Sequence, residues 1–287
     1  MIHASDSAGE HPCFHKAAAR WFGRVHLPVA PACNIQCNYC SRLYDCANEN
    51  RPGVTSRVMS PRQALRHVRQ TLARDQRIRV VGVAGPGEPL ANEATFLTLH
   101  LVHREFPETV KCVSTNGLLL EQSLPALRAA GVRTVTVTVN AVSAAAGAMI
   151  YQYALLGEEV YRGKEAAGLL WERQRRGIRL AASMGLAVKV NSVLIPGVNE
   201  GEMPLIAGQV KAAGAQIMNV IPMIPQGAFV MMPAPTAGQV GELRRKLDPV
   251  ISQMTHCQRC RADAGGLLGE GAGTGGLCGG ADQGSGC

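Results

Sequence analysis

The chain has 287 residues, of which 46% are hydrophobic and 17% are charged, a composition typical of a folded protein with a substantial core. The formal net charge is +8, but the basic residues are scattered and aromatic residues make up only 4%, which argues against a nucleic-acid-binding surface. No apolar run approaches the roughly 20 residues that span a bilayer, and the polar residues 1–10 do not resemble a signal peptide. We therefore expect a cytoplasmic protein that binds neither nucleic acid nor membrane.

The sequence predicts alternating strands and helices, starting with a strand over 24–32. The segment 60–63, Ser-Pro-Arg-Gln, is typical of a helix start with a capping box. Further strands are predicted over 78–84, 109–115, 133–140, 187–195 and 216–224, and further helices over 91–106, 124–130, 203–213 and 236–254. The stretch 144–185 is predicted to be mostly helical, in two pieces broken near Gly157 or Gly163.

These elements predict an α/β fold of about six β-α units joined by right-handed crossovers. Polar and glycine-rich segments follow the strands on the same side, which favours a partial (βα)6 parallel barrel over a doubly wound sheet. We expect an N-terminal extension over 1–23, the barrel over 24–235, a helix with a cysteine pair over 236–264 and a flexible glycine-rich tail over 265–287. Both extensions of this barrel carry cysteines.

Ten cysteines in a chain expected to be cytoplasmic indicate metal binding, because disulfides are rare in that compartment. Cys33, Cys37 and Cys40 follow the first predicted strand with spacings of four and three. Three thiolates can hold three irons of a cubane cluster and leave the fourth iron open for catalysis. The alternative is a zinc site that lacks its fourth ligand.

This cysteine spacing, with Tyr39 before the last cysteine, resembles the radical S-adenosylmethionine (SAM) superfamily. The resemblance implies a partial barrel whose [4Fe–4S] cluster binds SAM at the open iron. Gly85, Gly87 and Glu88 resemble the glycine-rich motif that holds the methionine amino group, although a tight turn is the alternative. The remaining candidate SAM contacts are Ser114, Thr115, Asn116, Thr138, Asn140 and Asn191 at predicted strand ends, with Ile195 against the adenine.

Longer segments resemble the NifB family of nitrogenase cofactor biosynthesis proteins, namely 26–32, 44–54, 85–90, 114–117, 195–199 and 257–264. The resemblance implies two four-iron precursor clusters beside the SAM cluster, and so three [4Fe–4S] clusters in all. By position, the ligands would be Cys13, His26 and Cys112 for one precursor and Cys46, Cys257 and Cys260 for the other. Alternative ligands are His11, His15 and His256, while Glu49 and Arg51 match a family motif and would orient clusters or handle protons.

The resemblance also implies the reaction. The enzyme would fuse the two precursor clusters, with a SAM-derived carbide and an added sulfur, into the eight-iron precursor of the nitrogenase cofactor. One SAM would methylate a cluster sulfide, and a second would give the 5′-deoxyadenosyl radical that abstracts hydrogen from that methyl group. The glycine-rich end of the chain resembles the short form of the family, without a carrier-like domain.

Implied partners are iron–sulfur cluster donors, the carrier and scaffold proteins of nitrogenase assembly, and an electron donor. We expect the chain to be a monomer. Two other functions stay open at this point. One is a radical SAM enzyme with auxiliary clusters that acts on an organic or peptide substrate. The other is a non-enzymatic iron–sulfur carrier or scaffold.

Overall fold

The structure is a computed structural model that describes residues 9–48 and 53–270. Its strands are β1 Gly23–His26, β2 Ile35–Cys37, β3 Ile78–Val83, β4 Val110–Thr115, β5 Val132–Thr138, β6 Tyr151–Leu156, β7 Glu159–Arg162, β8 Ala187–Leu194, β9 Ile217–Pro222, β10 Ser252–Gln253 and β11 Gly265–Gly266. Its α-helices are α1 Pro61–Arg74, α2 Glu93–Glu105, α3 Leu120–Ala129, α4 Ala144–Ile150, α5 Gly163–Ser183, α6 Met203–Ala212 and α7 Ala237–Leu247.

Eight strands form one sheet in the order β10-β9-β8-β5-β4-β3-β1-β11. All neighbouring pairs are parallel except β1 with β11, which is antiparallel. Helices connect the parallel strands, as a parallel sheet requires. The predicted α/β class, a partial parallel barrel of six β-α units, is confirmed.

Helix α1 begins where the sequence predicts. The Ser60 side chain accepts a hydrogen bond from the Gln63 backbone, and the Gln63 side chain accepts one from the Ser60 backbone, with Pro61 at the first helical position. Such a cap stabilises a helix by about 1 kcal/mol. The helix then buries Ala64 and Val68 against the main apolar core.

The two faces of the sheet differ in chemistry. One face carries valines that pack under the helices, such as Val81, Val113 and Val190. Because successive side chains of a strand point to opposite faces, the residues between these valines and their neighbours share the other face. That face carries polar, charged and thiol side chains, among them Arg24, His26, Cys112, Lys189, Asn191 and Asn219.

The prediction of helix over 151–162 was wrong. Strands β6 and β7 form a hairpin there, with Leu156 paired to Glu159 across a turn in which Gly157 has a φ of +64°. β6 also pairs antiparallel with β2, in a separate three-stranded sheet. The stabilising partner lies more than 100 residues earlier in the chain, so local sequence favoured helix where a distant strand decided the outcome.

The predicted helix over 236–254 was too long. Helix α7 ends at Leu247 because Pro249 follows, and proline has no backbone N–H with which to continue the helical hydrogen bonds. The chain then forms β10 at one edge of the large sheet and β11 at the other edge. We call residues 254–264, which join these two edges, the strap. Glycines 265 and 266, predicted to begin a flexible tail, instead pair with Arg24 and Val25.

No helix within 9–48 or 53–270 has both the length and the apolar character needed to cross a membrane.

Candidate active site

The loop that carries Cys33, Cys37 and Cys40 is held by the small sheet. Cys37 lies in β2 opposite Tyr151 of β6. The Gln36 amide donates hydrogen bonds to the carbonyl oxygens of Cys37 and Cys40, each at 3.0 Å, and the Cys40 N–H donates to the Cys37 carbonyl at 3.1 Å. These bonds wrap the backbone into a compact turn around the triplet.

The triplet opens into a cavity that the glycine-rich segment and the ends of several strands enclose. Its lining includes the predicted SAM contacts Tyr39, Gly87, Glu88, Ser114, Thr115, Asn116 and Thr138, together with Cys46 and Arg42. The ends of β3, β4 and β5 therefore meet the triplet loop at one place, as the barrel prediction required.

Gly87 allows the glycine-rich segment to lie directly against the backbone that leads into the triplet. A Cβ atom at Gly87 would lie 2.3 Å from the Ala32 carbonyl oxygen and 2.7 Å from that of Pro31. The Gly87 N–H donates to the Ala30 carbonyl at 2.5 Å, and the Glu88 N–H donates to the Ala32 carbonyl at 2.8 Å. Only glycine permits this approach, which positions Cys33 relative to the cavity.

Glu88 is buried, and its carboxylate joins two strand ends. It accepts hydrogen bonds from the Leu90 N–H at 3.0 Å, the Asn116 N–H at 2.6 Å and the Thr115 hydroxyl. The Asn116 side chain in turn donates to the Asn34 side chain at 2.7 Å, next to Cys33. Glu88 therefore braces the floor of the cavity.

Tyr39 links the triplet to two more strand ends. Its hydroxyl donates to the Asn48 side chain at 2.5 Å and accepts from the Asn140 side chain at 2.6 Å. The side-chain oxygen of Asn140 accepts a hydrogen bond from the Val193 N–H at 2.8 Å. Ile195 is fully buried in the same apolar cluster as Tyr39. Both Asn140 and Ile195 thus support the site from within.

Gln174 is a site residue that the sequence analysis missed. It is buried on α5, and its side-chain amide donates to the carbonyl oxygens of Asn116 and Thr138, each at 2.8 Å. It thereby holds the ends of β4 and β5 at a fixed separation under the cavity. Gln174 lies in the charged run 172–176, a pattern typical of a solvent-exposed helix face, so the sequence carried no signal for this role.

A second group of thiols lies on the polar face of the sheet. Electrostatic interactions join Cys13 to Cys112, Cys257 and Cys260, and Lys189 is the cation that acts most strongly on Cys13. Cys13 and Cys257 also pack on one apolar cluster with Met254, whose sulfur lies 4.0 Å from the Lys189 ammonium. We call the group Cys13, Cys112, Cys257 and Cys260 the interior thiols.

Burial raises the pKa of thiols in both groups. It raises the pKa of Cys13 to about 12, against the opposing effect of Lys189. It also raises the pKa of Cys33 and Cys37 above that of a free thiol, although Arg42 acts in the opposite direction. Buried thiols deprotonate when a metal binds them. The thiol-rich donor sets therefore fit iron–sulfur clusters.

His26 has the geometry of a neutral metal ligand. Its Nδ1 atom lies 3.1 Å from the Arg261 carbonyl oxygen, so Nδ1 carries the proton and Nε2 keeps its lone pair. Burial, and then the charge of Arg24, lowers the pKa of His26 to about 4.

Asn191, a predicted SAM contact, accepts a hydrogen bond from the Asn219 side chain at 3.3 Å.

Cys46 lines the triplet cavity, and its thiol interacts electrostatically with Cys40, Cys33 and Cys37. Its predicted membership in one ligand set with Cys257 and Cys260 stays a prediction. Glu49 and Arg51 lie outside the described residues. In the part of the chain that the structure describes, no three histidine, cysteine, aspartate or glutamate side chains converge closely enough to hold a single metal ion.

Comparison with known proteins gives the family. The family model of the Radical SAM superfamily matches residues 27–209. The chain is 46% identical to the FeMo cofactor biosynthesis protein NifB of Klebsiella pneumoniae over 93% of its own length, and 44% identical to that of Chlorobaculum tepidum over 91%. It spans only 58% and 62% of those two relatives.

Among solved structures, methylornithine synthase (PylB) is similar, with a TM-score of 0.55, 15% identity and coverage of 87% of this chain and 68% of that one. At that identity the likeness concerns the fold. Together with the triplet and its cavity, these matches establish that the chain belongs to the radical SAM superfamily, in which it resembles NifB proteins over nearly all of its length.

Proposed function

We propose that this chain fuses two four-iron clusters into the eight-iron precursor of the nitrogenase cofactor, with a carbide and an added sulfur. The observation that carries the proposal is the second group of thiols, which lies on the polar face of the same sheet as the SAM cavity. Similarity to NifB proteins supports it as well. The four-iron precursors are substrates in this scheme, and the triplet cluster is the resident cofactor.

Cys33, Cys37 and Cys40 would hold the resident [4Fe–4S] cluster, which with bound SAM supplies a 5′-deoxyadenosyl radical on reductive cleavage. Other residues around the cavity position the bound groups and exclude water. Gly87 and Glu88 fix the glycine-rich segment beside the triplet, and the apolar cluster around Ile195 excludes water. A site that excludes water protects a radical from side reactions.

The interior thiols and His26 would hold the precursor clusters. Arg24 and Lys189 place two buried positive charges among these thiols, which offsets the net negative charge of a thiolate-bound cluster. Arg24 donates to Cys260, and Lys189 acts on Cys13. Cluster donors, a carrier, a scaffold and an electron donor of nitrogenase assembly would be its cytoplasmic partners.

An anaerobic iron count tests the substrate part of the proposal. After reconstitution with iron and sulfide, the chain should hold about twelve iron atoms if three four-iron clusters bind. Electron paramagnetic resonance with and without SAM should show that SAM perturbs one cluster. A count of about four iron atoms would rule out the precursor sites. A modified organic product instead of an eight-iron cluster would favour the other radical SAM function.

Two cysteine variants separate the resident cluster from the substrate clusters. Cys37→Ala should abolish 5′-deoxyadenosine formation, because one of three ligands of the SAM cluster is gone. Cys112→Ala should lose iron but keep SAM cleavage, because its thiol belongs to the interior group. Unchanged 5′-deoxyadenosine in Cys37→Ala would contradict the role of the triplet, and a carrier without enzymatic activity would cleave no SAM in either protein.

A further inference from the structure

His11 is a buried histidine whose two ring nitrogens have different surroundings. Its Nδ1 atom accepts a hydrogen bond from the Cys13 N–H at 3.1 Å. Its Nε2 atom is buried and has no hydrogen-bond partner among the described residues. The ring packs edge-on against Phe14, with 4.9 Å between ring centroids, and only 2% of the residue is exposed. The ring is therefore held in place while one polar atom stays unsatisfied.

The Cys13 contact determines which nitrogen of His11 carries the proton. A ring nitrogen that accepts an N–H bond is unprotonated, so the proton of the neutral ring is on Nε2. His26 has the opposite arrangement, since its Nδ1 donates to the Arg261 carbonyl. His26 thus presents a lone pair at Nε2, whereas His11 presents an N–H donor. A metal ion could bind the first atom but not the second.

The His11 donor lies in the region of the interior thiols. His11 interacts electrostatically with Lys189 and with His26, and it is two residues from Cys13. Buried N–H groups are nearly always paired in folded proteins. A buried donor without a partner in this region is matched chemically by sulfur, because cluster sulfides and thiolates accept N–H hydrogen bonds.

We propose that His11 is a positioning residue that donates its Nε2–H to a sulfur atom of the iron–sulfur cluster bound by the interior thiols. The inference rests on the proposed function, because it requires a cluster at that site. It assigns His11 a role distinct from that of a ligand. A hydrogen bond to sulfur stabilises the more negative, reduced cluster, so it raises the reduction potential.

The test removes the triplet cluster and reads only the clusters that the interior thiols hold. The background is the triple variant Cys33→Ala, Cys37→Ala and Cys40→Ala, reconstituted anaerobically with iron and sulfide. In this background, His11→Asn keeps an acceptor near the Cys13 N–H and removes the distant donor, whereas His11→Gln extends an N–H donor to the position of Nε2. His100→Asn is the control, since His100 is an exposed histidine on α2.

Iron per chain and the midpoint potential, from a redox titration followed by electron paramagnetic resonance, are measured for each protein. We expect His11→Asn to keep its iron and to shift the midpoint potential to a more negative value. His11→Gln should restore the potential, and His100→Asn should match the background. A merely structural role of His11 would not separate the Asn variant from the Gln variant in potential.

An unchanged potential in His11→Asn would overturn the proposal, and so would loss of iron in both His11 variants, which would identify a ligand. If the background protein with His11 intact binds no iron, the interior site of the proposed function fails and this role fails with it. Iron in the background with no effect of His11 on potential refutes the His11 role and leaves the proposed function standing.

Discussion

The guanidinium of Arg24 donates a hydrogen bond to the Sγ atom of Cys260, at 2.9 Å. The same buried side chain also donates to the Gly266 and Leu267 carbonyl oxygens, at 2.5 and 2.9 Å. One residue of β1 therefore holds both the cysteine pair of the strap and the segment that follows it. The contact spans 236 positions of sequence, so it depends on the complete sheet.

Replacing Arg24 by methionine should release the strap. The free energy of unfolding of the metal-free protein should fall by about 1.5–3 kcal/mol, the usual contribution of one hydrogen bond to a charged group. Cys260 should also react faster with iodoacetamide, as measured by mass spectrometry. Arg128→Met, on an exposed helix end, is the control and should change neither quantity. Equal alkylation rates in the two variants would contradict this account.

Replacing Gly87 by alanine should displace the glycine-rich segment, because the new Cβ would meet the Ala32 carbonyl at 2.3 Å. Overpacking of this kind costs about 1–3 kcal/mol, and we expect SAM binding to weaken in parallel. Chemical denaturation and calorimetric titration with SAM measure the two effects. Gly168→Ala has open space around it in α5 and should stabilise the protein slightly. Normal SAM affinity in the Gly87 variant would refute the prediction.

Replacing Gln174 by leucine should loosen the strand ends beneath the cavity. Two buried carbonyls, of Asn116 and Thr138, would lose their donor, at a cost of about 1–3 kcal/mol for each unsatisfied group. The affinity for SAM should fall as well, because both residues line or adjoin its cavity. Denaturation and SAM titration against Gln209→Leu, on the exposed face of α6, provide the comparison. A stable variant with unchanged affinity would show that Gln174 is dispensable.

The metal-free protein should lose stability in mild acid. The pKa of His26 is lowered to about 4, below the usual 6.5, so the unfolded chain takes up a proton before the folded chain does. The free energy of unfolding therefore falls as pH decreases from 6.5 towards 4, with a slope of up to about 1.4 kcal/mol per pH unit for this group. His26→Gln should flatten that slope in denaturation experiments, while His100→Gln, an exposed control, should leave it unchanged.

The parts of the fold that follow from local chemistry were predictable. The capping box at Ser60 and Gln63, and the valine-rich buried strands, mark their elements in the sequence itself. The hairpin over 151–162 was not predictable, because its pairing with β2 joins residues far apart in the chain. The end of α7 at Leu247 depends on a single residue, Pro249, whereas the apolar pattern of the sequence alone favours a longer helix.

The site divides in the same way. The triplet and the glycine-rich segment could be recognised because each is a short contiguous motif. Gln174, Arg24 and Lys189 could not, because each acts on groups that only the folded sheet brings near. The grouping of Cys13 with Cys112, Cys257 and Cys260 also depends on strand order, which spacing along the chain does not reveal.

The strap sets an order of events during synthesis. Cys257 and Cys260 follow all six β-α units in the chain, and the far end of their segment is anchored when β11 pairs with β1. While the barrel is being made, Cys13 and Cys112 therefore face an open side of the sheet, and the strap, which is made after these strands, completes the enclosure. Nascent chains arrested before residue 266 would have a formed SAM cavity, but their interior thiols would not yet be enclosed by the strap.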